Sequence, residues 1–101
     1  DWRELQTRQK TASDSLYALE AAAPDNQTAA TARNAITTMK ATREALDARA
    51  ESRYAYRKAE GDDADADTLA EVRNREVRTS RNLADARSAY AKALSGLAAI
   101  A

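Results

Sequence analysis

Apolar or small residues recur at alternating intervals of three and four positions through most of the chain, in three stretches. The recurring positions, of which Gln9, Arg43, Glu76 and Thr79 are polar, are Trp2, Leu5, Gln9, Ala12, Leu16 and Leu19 in the first stretch, Ala32, Ile36, Met39, Arg43, Leu46 and Ala50 in the second, and Leu69, Val72, Glu76, Thr79, Leu83, Ala86, Tyr90, Leu94 and Leu97 in the third. This spacing places the members of each stretch on one face of an α-helix. The pattern therefore predicts three amphipathic helices.

Two interruptions separate the predicted helices. Pro24 disfavours helical geometry in the residue before it, and polar residues that can cap a helix follow it. Gly61 can adopt the left-handed conformation that ends a helix, and Thr68 with Glu71 has the spacing of a capping box. These signals predict helices at about 2–23, 28–60 and 68–99.

Short loops between neighbouring helices predict antiparallel packing. In one such register Leu46 faces Leu83 and Met39 faces Tyr90, while Leu5 of the first helix faces Leu46. The sequence thus predicts a single helical domain over residues 1–101, an all-α, coiled-coil-like, up-down-up bundle of three helices. The alternative is a long helical hairpin whose first segment packs on another chain.

The first predicted helix is shorter than the other two, which leaves residues 51–78 as a two-helix extension, the tip. The tip is poor in large apolar residues, and the predicted register sets Arg53 opposite Glu76. An exposed ion pair of this kind contributes about 0–1 kcal/mol. We expect the tip to be either the least stable part of the chain or a part that a partner covers.

The amino-acid composition excludes several classes of protein and of site. The 101 residues include 26 alanines but no Cys and no His, and 16 basic residues balance 16 acidic ones. Alanine favours long helices, and the missing residue types exclude disulfides and zinc bound through Cys or His. No apolar run reaches the length of a membrane span. Without His or Cys, and with carboxylates on predicted exposed faces, we expect no catalysis and no resident cofactor. The compartment stays open, since any compartment tolerates a chain without cysteine.

One acidic segment raises the alternative of a calcium-responsive module. Asp63, Asp65 and Asp67 have the spacing that opens calcium-binding loops, and Glu71 could add a further oxygen. Thr68 stands where such a loop needs glycine, and Asn74 stands where it needs glutamate. The other interpretation is an acidic loop that precedes a helix N-terminus, where negative charge is favourable.

Arginine and tyrosine are concentrated in and around the tip. The candidate partner-binding residues are Arg53, Tyr54, Tyr56, Arg57, Arg75 and Arg78. Nucleic-acid binding would use the arginines as phosphate contacts, but nearby acidic residues almost cancel their charge and no duplex-binding motif accompanies them. Arginine and tyrosine are common anchors at protein interfaces. We therefore expect a non-catalytic structural or protein-protein interaction module that docks a protein partner through the tip or the hairpin groove, or that self-associates.

Overall fold

The computed structural model describes residues 1–100, which form three α-helices and no strand. These are α1 (Trp2–Ala21), α2 (Asn26–Gly61) and α3 (Ala66–Ile100), and α2 packs closely against α3. The all-α helical bundle predicted from the sequence is confirmed. None of the helices in residues 1–100 combines the length and the apolar character needed to cross a membrane.

An aspartate caps the N-terminus of each helix. Asp1 accepts a hydrogen bond from the backbone N–H of Arg3 at 3.0 Å. Asp25 and Asp65 each accept one from the N–H of the threonine three residues later, Thr28 or Thr68, at 2.7 Å. The capping box predicted at Thr68 is therefore wrong, because Asp65 caps α3 and starts the helix two residues earlier than predicted.

In the turn between α2 and α3, the residue with the left-handed backbone conformation is an aspartate. Gly61 ends α2 without a positive φ, whereas Asp63 has φ of 52°. Aspartate tolerates this conformation better than most residues, since its short side chain hydrogen-bonds locally. The prediction that Gly61 supplies the left-handed position is wrong.

The aspartate caps make the helices sensitive to acid. Hydrogen bonds from the Thr28 and Thr68 backbone N–H groups hold the pKa of Asp25 and Asp65 below their ordinary value of 3.8. A carboxyl group with a depressed folded-state pKa adds stability above its unfolded pKa, and that stability is lost as the pH falls through the folded value.

We expect the double variant Asp25→Asn, Asp65→Asn to melt near the parent temperature at neutral pH, because asparagine caps a helix about as well as aspartate. Between about pH 5 and about pH 2, its Tm should fall less than that of the parent. Thermal melts followed by circular dichroism check this. An equal acid-induced fall in Tm for both proteins would show that the caps do not carry the pH dependence.

The structure divides into two compact units. The bundle unit comprises residues 1–40 together with the chain from Ala89 onward, and so draws on all three helices. Its core consists of Leu16, Ala35, Ile36, Met39 and Ala93, with Tyr90 and Leu97 packed against it. Polar contacts also join α1 to α2 in this unit: Arg33 pairs with Glu20 at 3.4 Å, and the Lys40 ammonium lies 5.6 Å from the centre of the Tyr17 ring.

The hairpin unit comprises residues 41–88 and contains only α2 and α3. Its buried residues are Ser52, Ala59, Val72 and Leu83. The Thr42 hydroxyl donates a hydrogen bond to the Ala86 carbonyl at 3.2 Å, and Arg53 pairs with Glu76 at 3.5 Å. Both contacts follow the predicted antiparallel register of α2 and α3 to within about one residue, and the predicted pair of Arg53 with Glu76 is confirmed.

The interior layer predicted to contain Leu5, Leu46 and Leu83 is not buried as a whole. Leu83 is 2% exposed, but Leu46 is 39% exposed and Leu5 is 54% exposed. All of the first 12 residues are exposed. The predicted stripe there offers only Trp2 and Leu5 as large apolar side chains, and so little area gives weak hydrophobic stabilisation.

Candidate functional site

A groove of about 320 Å³ lies along one face of α2 in the hairpin unit. Its walls are formed by Leu46, Arg49, Ala50, Arg53, Tyr54 and Arg57. These residues follow one another at alternating intervals of three and one, which places them in two adjacent rows along the helix. We call the two rows the apolar row (Leu46, Ala50 and Tyr54) and the arginine row (Arg49, Arg53 and Arg57).

The apolar row carries exposed side chains that a core would normally cover. Tyr54 is 70% exposed, and Leu46 and Ala50 are also exposed. Aromatic side chains gain much from burial in an interface, since they bury a large area and lose little conformational freedom. This row can therefore serve as the apolar part of a contact surface.

The members of the arginine row differ in their partners. The Nε of Arg53 lies 3.5 Å from an oxygen of Glu76, whereas neither Arg49 nor Arg57 pairs with a carboxylate among residues 1–100. Arg49 is half-buried, and its Nε is buried without a hydrogen-bond partner. A buried donor left unsatisfied costs about 1–3 kcal/mol. The row thus offers two guanidinium groups, those of Arg49 and Arg57, that have no carboxylate partner among residues 1–100.

Tyr56 lies outside the groove, and its side chain contacts Arg73 of α3. The Arg73 guanidinium donates a hydrogen bond to the Tyr56 hydroxyl at 3.4 Å and lies 5.8 Å from the centre of its ring. The hydrogen bond to Tyr56 raises the pKa of Arg73 above its ordinary value. Tyr56 is half-buried. Among the two candidate tyrosines, therefore, Tyr54 is the exposed one, and Tyr56 stabilises the contact between α2 and α3.

The structure brings together three of the six residues that the sequence indicates for partner binding, namely Arg53, Tyr54 and Arg57. Arg75 lies on α3 and pairs with Glu71 at 3.8 Å, and Arg78 is exposed on α3 outside the groove.

Three residues of the groove are absent from the predicted site: Leu46, Arg49 and Ala50. The four-residue spacing of Arg49, Arg53 and Arg57 is a signal that could have found Arg49. The apolar pattern predicts Leu46 in the interior and Ala50 on the same helix face, because core positions and exposed contact positions have the same spacing.

The predicted calcium site is not assembled. Among residues 1–100, no group of three or more acidic or His and Cys side chains is placed to hold a metal ion, so Asp63, Asp65, Asp67 and Glu71 do not converge. The carboxylate of Asp65 instead accepts the Thr68 backbone N–H, and Asp67 lies in the first turn of α3. The acidic segment therefore acts as a helix start, the second interpretation of its sequence.

Comparison with known proteins adds no family: no protein-family model, no curated protein and no solved structure matches this chain. The features of the chain that bear on its function are therefore the groove and its chemistry.

Proposed function

We propose that this chain is a non-catalytic interaction module that docks a protein partner in the groove of α2. The observation that carries the proposal is the exposed apolar row beside an arginine row, with Tyr54, which is 70% exposed, at the C-terminal end of the apolar row. Tyrosine and arginine are the residues that most often dominate the binding energy of protein interfaces.

The helices of the hairpin unit support the same function. Residues 41–88 contain two helices, and Leu46, Ala50 and Tyr54 form an exposed apolar face of α2 of the kind that a further helix covers in a bundle. The pKa of each of the two helix-cap carboxyl groups, Asp25 and Asp65, is lowered by hydrogen bonds from backbone N–H groups, whereas a general base needs a raised pKa. The exposed apolar row and the arginine row are therefore suited to docking a partner.

Site-specific photocrosslinking tests the proposal. With a benzophenone amino acid in place of Tyr54, we expect a discrete crosslinked species in the native cells. The same probe in place of Arg87, which is exposed on α3 of the same unit, is the positional control and should give none. Adding Leu46→Asp to the Tyr54 probe should remove the species, because a charge in the apolar row opposes burial.

Equal crosslinking from positions 54 and 87, or none from position 54, would contradict docking in the groove. The mass of the crosslinked species also distinguishes a second copy of the chain from a partner of a different mass. A species of twice the chain mass would show self-association instead of a separate partner.

A further inference from the structure

We infer that the occupant of the groove is an acidic amphipathic helix of a partner protein, an inference that rests on the proposed docking function. The apolar row and the arginine row run side by side on α2 through 12 positions, Leu46 to Arg57. At 1.5 Å per residue the rows span about 16 Å, or about three helical turns. The groove therefore offers a long, narrow contact with two distinct chemistries.

Spacing favours a helical occupant. Successive arginines in the row are four residues apart, which sets them about 6 Å apart along the axis. Carboxylates four residues apart on a partner helix repeat at the same interval, and its apolar residues then face Leu46 and Tyr54. An extended peptide gains affinity by joining a sheet edge, but the backbone of α2 is hydrogen-bonded within its own helix and offers no such edge.

Charge favours an acidic occupant. Arg49 and Arg57 pair with no carboxylate among residues 1–100, and guanidinium groups form their strongest hydrogen bonds with carboxylates. Arg49 is already half-buried, so pairing it with a carboxylate removes less water than pairing a fully exposed arginine would.

The surrounding charge argues against a nucleic acid as the occupant. Residues 41–88 contain ten basic and eleven acidic residues, so the hairpin unit has no net positive charge to attract a polyanion. Its four loop and first-turn aspartates would repel an extended phosphate backbone. A short acidic helix needs positive charge only along the groove itself.

The test uses the full chain and a designed probe. The probe is a fluorescent helical peptide of about 18 residues with leucine at the a and d positions of its heptads and glutamate at b and e, which places the carboxylates on one side of the leucines at intervals of three and four. Fluorescence anisotropy should show this peptide binding at least about tenfold more tightly than an analogue with glutamine in place of glutamate. Raising the salt concentration from about 50 mM to about 500 mM should weaken the glutamate peptide's binding by about tenfold.

Two charge-matched variants locate the binding. Arg49→Gln with Arg57→Gln should weaken binding of the glutamate peptide by at least about tenfold. Arg81→Gln with Arg87→Gln removes the same charge from exposed positions on α3 and should change the affinity by less than about twofold. Because Arg57 is exposed, Arg57→Gln alone should also weaken binding without affecting the fold.

Three results would overturn the inference. They are equal affinity for the glutamate and glutamine peptides, tighter binding of a single-stranded DNA oligonucleotide that depends on Arg49 and Arg57, and a concentration-dependent dimer that these two substitutions abolish. If the Tyr54 crosslink survives while the glutamate preference is missing, the docking function stands and the acidic helix does not. If the crosslink is also missing, both fail.

Discussion

Replacing Leu83 by alanine is expected to lower the free energy of unfolding by about 2–4 kcal/mol. Leu83 is 2% exposed, the most completely buried of the large apolar side chains in the hairpin unit. Its truncation removes buried apolar area and leaves a cavity that two packed helices fill only in part. Urea unfolding followed by circular dichroism at 222 nm measures the loss.

Leu46→Ala is the matched control, because it makes the same chemical change in the same unit. Leu46 is 39% exposed, and we expect its truncation to cost less than about 1 kcal/mol. It should instead weaken docking, since Leu46 lines the groove. Equal destabilisation by the two variants would mean that both leucines share one interior, as the apolar rhythm alone predicts.

Much of the fold follows from local sequence signals. Pro24 and the polar residues after it separate α1 from α2, and the alternating spacing of apolar residues predicts all three helices to within about two residues at each end. The register of α2 against α3 was also predictable, as the pair of Arg53 with Glu76 shows. Short connections force antiparallel neighbours, and few registers then match small residues to large ones.

The burial of individual positions was less predictable. Leu5 and Leu46 have the same rhythm as Leu16 and Leu83, yet the first two are exposed and the last two are buried. A periodic pattern shows which residues share a face, but it does not show whether another helix covers that face. Coverage depends on the summed apolar area along the whole segment, and the first three turns of α1 offer little.

In the candidate site, too, some features could be predicted from the sequence and others could not. The arginine row and Tyr54 could be read from the sequence, because four-residue spacing and aromatic residues are visible there. The role of Tyr56 could not, since its contact with Arg73 depends on the side chains of two helices. The arrangement of the acidic segment could not be read either: carboxylates with suitable spacing bind a metal only when the backbone turns them toward one point, and among residues 1–100 they are not grouped in that way.

The second substitution with a large expected effect on stability is at Ser52, a buried residue of α2 in the hairpin unit. Ser52 is 2% exposed, and its hydroxyl donates a hydrogen bond to the Ala48 carbonyl at 2.9 Å. Because the space around it is filled, we expect Ser52→Leu to lower the free energy of unfolding by about 1–3 kcal/mol through overpacking. Ser52→Ala should change it by less than about 1 kcal/mol, since the Ala48 carbonyl lies within α2 and can keep its backbone hydrogen bond.

Glu51→Leu supplies the control for adding a leucine, because Glu51 is exposed on the neighbouring position of α2. That variant should have a free energy of unfolding within about 0.5 kcal/mol of the parent value.

A second comparison, of Ser52→Leu with Arg53→Gln, tests whether close packing or ion pairing contributes more to the contact between α2 and α3. If close packing contributes more, Ser52→Leu must cost more than Arg53→Gln, which removes a half-exposed ion pair that contributes about 0–1 kcal/mol. The reverse order would mean that the ion pair of Arg53 with Glu76 contributes more to the contact between α2 and α3 than close packing at Ser52 does.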